Sequence, residues 1–163
     1  MLPFTRMNMP PDLQSYFASL HERRKQAKPL RHRNASTEDW TSKRACCHAN
    51  VAFVVGQCPR LKPVRGWIIV SEDASGRCRF AAHSVIDDGG QLYDVTLSDQ
   101  AECDLYRFLE HVGAEEDFWA VERVCRDTEY PFFRPEDLDT SGAEEDIRNG
   151  ESEDMRSDDE SEF

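Results

Sequence analysis

Apolar and polar positions alternate most clearly between residues 64 and 96, "VRGWIIVSEDASGRCRFAAHSVIDDGGQLYDVT". Period-two alternation is the signature of a half-buried strand. Three runs stand out, 64–71, 78–86 and 91–96, separated by "EDASG" and "DDGG". Both breaks are turn chemistry, with Gly supplying positive φ. The pattern predicts a three-stranded antiparallel meander. A tight turn at Asp88 and Gly89 would set Val85 opposite Leu92 and His83 opposite Asp94.

Helical spacing appears on either side. Leu13, Phe17 and Leu20 fall on one face of a helix expected over 11–27, with Pro11 suited to its first turn. Residues 45–55, "ACCHANVAFVV", lack Gly and Pro and end before Gly56, a good C-cap residue. There Cys47, Asn50, Val51 and Val54 share a face. Phe118, Val121 and Cys125 place another helix at 115–125. The segment 28–44 is polar, basic and proline-broken, and reads as a loop. The expected fold class is α+β: a helix packed on a small antiparallel sheet.

Charge divides the chain unevenly. The net charge is −12, but residues 136–163 hold 13 acids against Arg148 and Arg156. Such a segment buries too little to offset its ordering entropy, and is expected to be an acidic disordered tail. Residues 1–44 carry 9 bases against 4 acids and read as a basic N-terminal arm with a short helix. The body, 45–135, is the folded domain. A basic cluster suits phosphate, but the tail opposes it, so nucleic acid is not the expected partner. No run of roughly 18 apolar residues suggests a membrane span. The start of the chain has no secretory pattern, so the expected location is cytoplasmic.

Six cysteines, at 46, 47, 58, 78, 103 and 125, show no CxxC spacing. Neither a disulfide framework nor structural zinc is expected from them, although Cys46, Cys47, His48, His83 and Cys103 are potential zinc ligands. No metal or cofactor is expected. Most of these thiols read as small buried hydrophobes.

Cys47 is different. It lies at a helix start, where the dipole favours a thiolate. Across the predicted hairpin, His83 faces Asp94, a spacing at which a carboxylate can accept from an imidazole N–H. The bland reading of each remains open: a core thiol, a satisfied buried histidine, a turn-capping or Arg79-paired aspartate. Cys46 falls on the opposite helix face and ranks second as nucleophile. Asn50, one turn after Cys47, is a candidate to line a substrate site or, equally, to bond to the backbone. Trp67 is a candidate to roof one, though a strand Trp more often belongs to a core.

The chain order Cys, His, Asp resembles the papain-like superfamily, and within it the NlpC/P60-like and transglutaminase-like cysteine hydrolases. Locally, "CHANV", "AHSVI" and "YDVT" are similar to segments of the protein N-terminal glutamine amidohydrolase family. Those enzymes carry a longer "WDYHV" around the histidine, most of which is missing here. The resemblance covers residues 45–96. It implies a papain-like arrangement with Cys47 as nucleophile, His83 as base and Asp94 as orienter. The implied function is cysteine-dependent hydrolysis of a protein or peptide amide, as amidase, deamidase or peptidase. The alternative is a non-catalytic protein-interaction module on the same scaffold.

Overall fold

In the computed structural model, the structure describes residues 11–132. The acidic tail expected over 136–163 and the first ten residues of the expected arm lie outside them. The described chain is mixed α and β. Its helices are α1 (Pro11–Arg23), α2 (Cys47–Gln57), α3 (Gln100–Asp104) and α4 (Glu115–Val124). Its strands are β1 (Lys28–Pro29), β2 (Arg31–His32), β3 (Lys62–Glu72), β4 (Cys78–Asp88), β5 (Gln91–Asp94), β6 (Arg107–Glu110) and β7 (Asp127–Tyr130).

The predicted meander is the middle of a larger sheet, ordered β1-β6-β3-β4-β5-β2, with β7 also paired to β4. One pair departs from the antiparallel expectation: β2 runs parallel to β5. β1 and β2 span two residues each, too short to show an alternation, and β6 and β7, at four, leave little trace in the pattern.

The turn between β4 and β5 corrects the expected register. Gly89 and Gly90 take φ of 66° and 92°, as a two-residue turn with both central residues at positive φ requires. The pairs are therefore Asp88 with Gln91, Asp87 with Leu92 and Ile86 with Tyr93. This is a slip of two residues, and side chains alternate with period two. His83 and Asp94 stay on one face but become diagonal neighbours rather than opposite ones.

The segment 11–44 is not a solvated arm. Leu13, Phe17 and Leu20 are buried with Trp67, Phe80, Leu109, Phe118 and Val121 in the largest apolar cluster. Leu30 joins Val85, Leu92, Cys103 and Phe108 in a second. The stretch expected to be loop supplies β1 and β2. Cations of the segment 11–44 pair with acids of the body: Arg24 with Glu72 at 3.0 Å, Arg33 with Asp88 at 2.7 Å and Arg44 with Glu102 at 3.1 Å.

On its β5 side, β4 pairs with β7 over residues 78–81 and with β5 over 86–88. The positions between, which include His83 and Ser84, belong to neither ladder. Helix α2 packs beside them, with Val51 against Ile86, Leu61 and Val95. It begins and ends two residues later than expected. Gly56 lies inside it with open space around, and the Cys58 N–H closes the end on the Val55 carbonyl at 3.1 Å. No helix among the described residues is long and apolar enough to cross a membrane.

Candidate active site

Helix α2 begins at Cys47, directly after Ala45 at φ 58° and Cys46. The first N–H groups of a helix have no intrahelical partner, and the dipole there favours negative charge. Asn50 fixes this start. Its Oδ1 accepts from the Lys43 N–H at 3.0 Å, and its Nδ2 donates to the Lys43 carbonyl at 2.8 Å and to Thr96 Oγ1 at 3.0 Å. It is 2% exposed. Asn50 therefore ties the chain before α2 to the chain after β5, and it does not line the cavity.

His83, on β4, is 5% exposed, and Asp94, at the end of β5, is fully buried. The two are hydrogen bonded through His83 Nε2 and Asp94 Oδ2. The other carboxylate oxygen, Oδ1, accepts from the Thr96 and Leu97 N–H groups, each at 2.7 Å. Asp94 is also braced along its backbone, where its carbonyl accepts from the Arg33 N–H at 2.8 Å. Arg79, the other candidate partner for Asp94, instead forks onto Asp127 at 2.9 and 2.6 Å.

Cys47, His48 and His83 open on one cavity of about 340 Å³. Ile68, Ala81, Ala82 and Leu97 supply apolar wall, and Arg44, Glu102, Arg126 and Asp127 supply charge. Cys46 is exposed and outside this lining. Trp67 is also outside it. It has no exposed surface, packs edge-on against Phe17 and Phe118, and donates from Nε1 to the Tyr16 hydroxyl at 2.8 Å. A ring so enclosed offers nothing to a ligand, which corrects its place as a substrate-binding candidate.

Burial pushes the Cys47 thiol up, but hydrogen bonding from His48 and His83 outweighs it and brings the group down to about 6. Burial pushes the His83 imidazolium down, and the bonds to Asp94 and Cys47 more than offset this, to about 9. Asp94 is held below the usual carboxylate range: burial opposes ionisation, while His83 and the two backbone N–H groups favour it. Between these limits the favoured state is a thiolate beside an imidazolium. The core thiols behave oppositely. Burial pushes Cys103 up to about 12 and raises Cys78 and Cys125.

The structure places Cys47, His83 and Asp94 side by side, and beside them a second imidazole that the sequence pattern misses. His48 Nδ1 lies 2.6 Å from Ser84 Oγ, and Ser84 Oγ accepts from Arg65 at 2.8 Å. His48 Nε2 lies 3.8 Å from Glu122 on α4. The only signal in the sequence is that His48 follows Cys47, where it served solely as a possible zinc ligand. Among the described residues no three His, Cys, Asp or Glu side chains are grouped to hold a metal ion. No protein-family model matches the chain, and no match to it is found among curated proteins or solved structures.

Proposed function

We propose that the protein is a cysteine-dependent hydrolase acting on an amide of a protein or peptide, with a papain-like division of labour. The observation that carries this reading is the placement of Cys47, at the start of α2, and His83, hydrogen bonded to Asp94, on the wall of one cavity; the lowered thiol and raised imidazole agree with it. An interaction module has no use for an ionised thiol in a cavity wall. Desolvating such a group is costly unless it is paired.

In this scheme the Cys47 thiolate attacks the carbonyl carbon, and the pair from the C=O bond moves to oxygen. The Cys47 backbone N–H, unpaired at the helix start, is one donor to that oxyanion. His83 gives its proton to the leaving amine as the C–N bond breaks, which leaves a thioester on Cys47. His83 then takes a proton from water, and the hydroxide attacks the thioester. The acid departs and the thiolate returns. Asp94 holds Nε2 of the ring, so Nδ1 is the nitrogen that exchanges the proton.

The test is iodoacetamide labelling of the full chain against pH, with Cys47→Ser, Cys46→Ser and His83→Ala, followed by mass spectrometry of peptide amides incubated with the protein. The reading expects one thiol to react well below the ordinary range of about 8.5. Its labelling disappears with Cys47→Ser and shifts with His83→Ala, and new carboxylates appear among the peptides only when Cys47 is present. Uniformly sluggish thiols would leave the hairpin as architecture and favour the interaction module.

A further inference from the structure

Two imidazoles flank one thiol, and the mechanism above uses only His83. The contacts around His48 define what its ring can do. A guanidinium only donates hydrogen bonds, so Ser84 Oγ accepts from Arg65. Ser84 is fully buried, and its single proton needs an acceptor. The neighbour left for it among the described contacts is His48 Nδ1, at 2.6 Å. Nδ1 therefore carries the lone pair, and Nε2 carries the hydrogen.

Every neighbour supports that orientation. Arg65 is fixed by Glu115 at 2.9 Å and lies over the Trp119 ring at 4.9 Å. Trp119 and Phe118 hold the imidazole edge-on at 4.9 and 5.9 Å. The charged or titratable groups around the ring include Cys47 on α2, His83 on β4, Arg65 on β3, Glu122 on α4 and Arg126 just after it. Glu122 Oε1 lies 3.8 Å from Nε2, beyond hydrogen-bond reach, and accepts from Arg126 at 2.6 Å. Cys47 lines the same cavity as His48, and hydrogen bonding from His48 is among the causes that lower its thiol, so its sulfur is the acceptor left for the Nε2 hydrogen.

We propose that His48 is a positioning residue for the Cys47 nucleophile: Arg65 and Ser84 lock its ring as the Nε2–H tautomer, and it serves as a fixed donor to the sulfur while His83 alone moves the proton. This rests on the reading of Cys47 as a nucleophile. A fixed donor and a mobile one separate two tasks that conflict in a single imidazole. The ring that hands its proton to the leaving amine ceases to stabilise the thiolate, and the second ring goes on doing so.

The tautomer is read directly in the wild-type chain from the ¹⁵N shifts of its imidazoles, without any substitution at the site. Iodoacetamide labelling against pH then follows for His48→Ala and His48→Gln, each checked for folding by circular dichroism. His48→Ala raises the acid limb of Cys47 labelling. Each unit of rise slows the reaction about tenfold at pH values below both limbs. His48→Gln restores most of the rate, because its amide N–H reaches the place of Nε2–H. A hydrogen found on Nδ1, a Gln variant no better than Ala, or an unmoved limb in His48→Ala overturns the proposal. A wild-type limb in the ordinary thiol range would instead defeat the hydrolase reading itself, so the two failures are distinguishable.

Discussion

A cysteine with only 8% of its surface exposed should be a poor acid. Cys103, with no exposed surface, is one: burial pushes its thiol up to about 12. What separates them is the company each keeps: Cys47 has two imidazoles, and the carboxylates near Cys103 only add to its burial. The thiolate–imidazolium pair exists above the thiol's limit and below the imidazole's. Iodoacetamide labelling of Cys47 is accordingly expected to rise through about pH 6. Peptide hydrolysis, which also needs the His83 proton, is expected to follow a bell that falls again above about pH 9. Asp94→Asn tests the orienter. It keeps the shape but loses the charge, so the alkaline limb moves down and hydrolysis falls by orders of magnitude, on the scale seen for triad aspartates. An unchanged limb in that variant would remove Asp94 from the mechanism. At this scale the sequence was informative where one element sufficed. Cys47 at a helix start and His83 on a strand face follow from local pattern. The locked His48 ring does not, because its partners come from β3, β4 and α4, which only tertiary packing brings together.

The elements show why the pairing of His83 with Asp94 could be anticipated from an incorrect register. A two-residue slip at Gly89 and Gly90 preserves every face, whereas a one-residue slip would have sent Asp94 to the opposite side of the sheet. Asn50 sits on the expected helix face, and of its two open readings the structure shows the backbone-bonding one; pattern alone could not choose, since Lys43 lies in a segment with no periodic signal. Asn50→Ala leaves the part-buried Lys43 backbone and Thr96 hydroxyl without their partner, at a cost of about 1 kcal/mol or more. It also loosens the turn that begins α2. Both a lower urea midpoint and an acid limb of Cys47 labelling moved upward are expected, and a midpoint change without the limb would separate the fold from the site. Gly66, opposite His83 across β3 and β4, marks a second constraint. A Cβ there would lie 2.3 Å from the Leu109 carbonyl and 2.6 Å from the Phe108 ring. Gly66→Ala must push β6 or Phe108 aside, an overpacking cost of about 1–3 kcal/mol, measurable as a shift of the same midpoint.

For the whole molecule, the same charge pair that makes the site reactive governs how stability depends on pH. The folded His83 keeps its proton up to about 9. Its contribution is complete below the unfolded value of about 6.5 and fades as pH rises through the folded one. The folded Cys47 loses its proton at about 6. Its contribution is complete above the unfolded thiol value of about 8.5 and fades as pH falls toward the folded one. Between about pH 6.5 and 8.5 the two slopes have opposite sign. A fully titrating group gives at most about 1.4 kcal/mol per pH unit, so the wild-type chain is expected to show a nearly level unfolding free energy across this window. Cys47→Ser removes one slope and leaves the other. His83 is still raised by Asp94, so the variant should lose stability steadily as pH increases above about 6.5. Urea titrations of both proteins at several pH values measure this directly. A wild-type profile as steep as that of Cys47→Ser would mean that the thiol does not ionise in the folded state. A level profile in both would mean that His83 is not raised. In either case the buried pair would have to be replaced by a neutral one, and the sheet gap that holds it would be a packing feature of the fold rather than the seat of its chemistry.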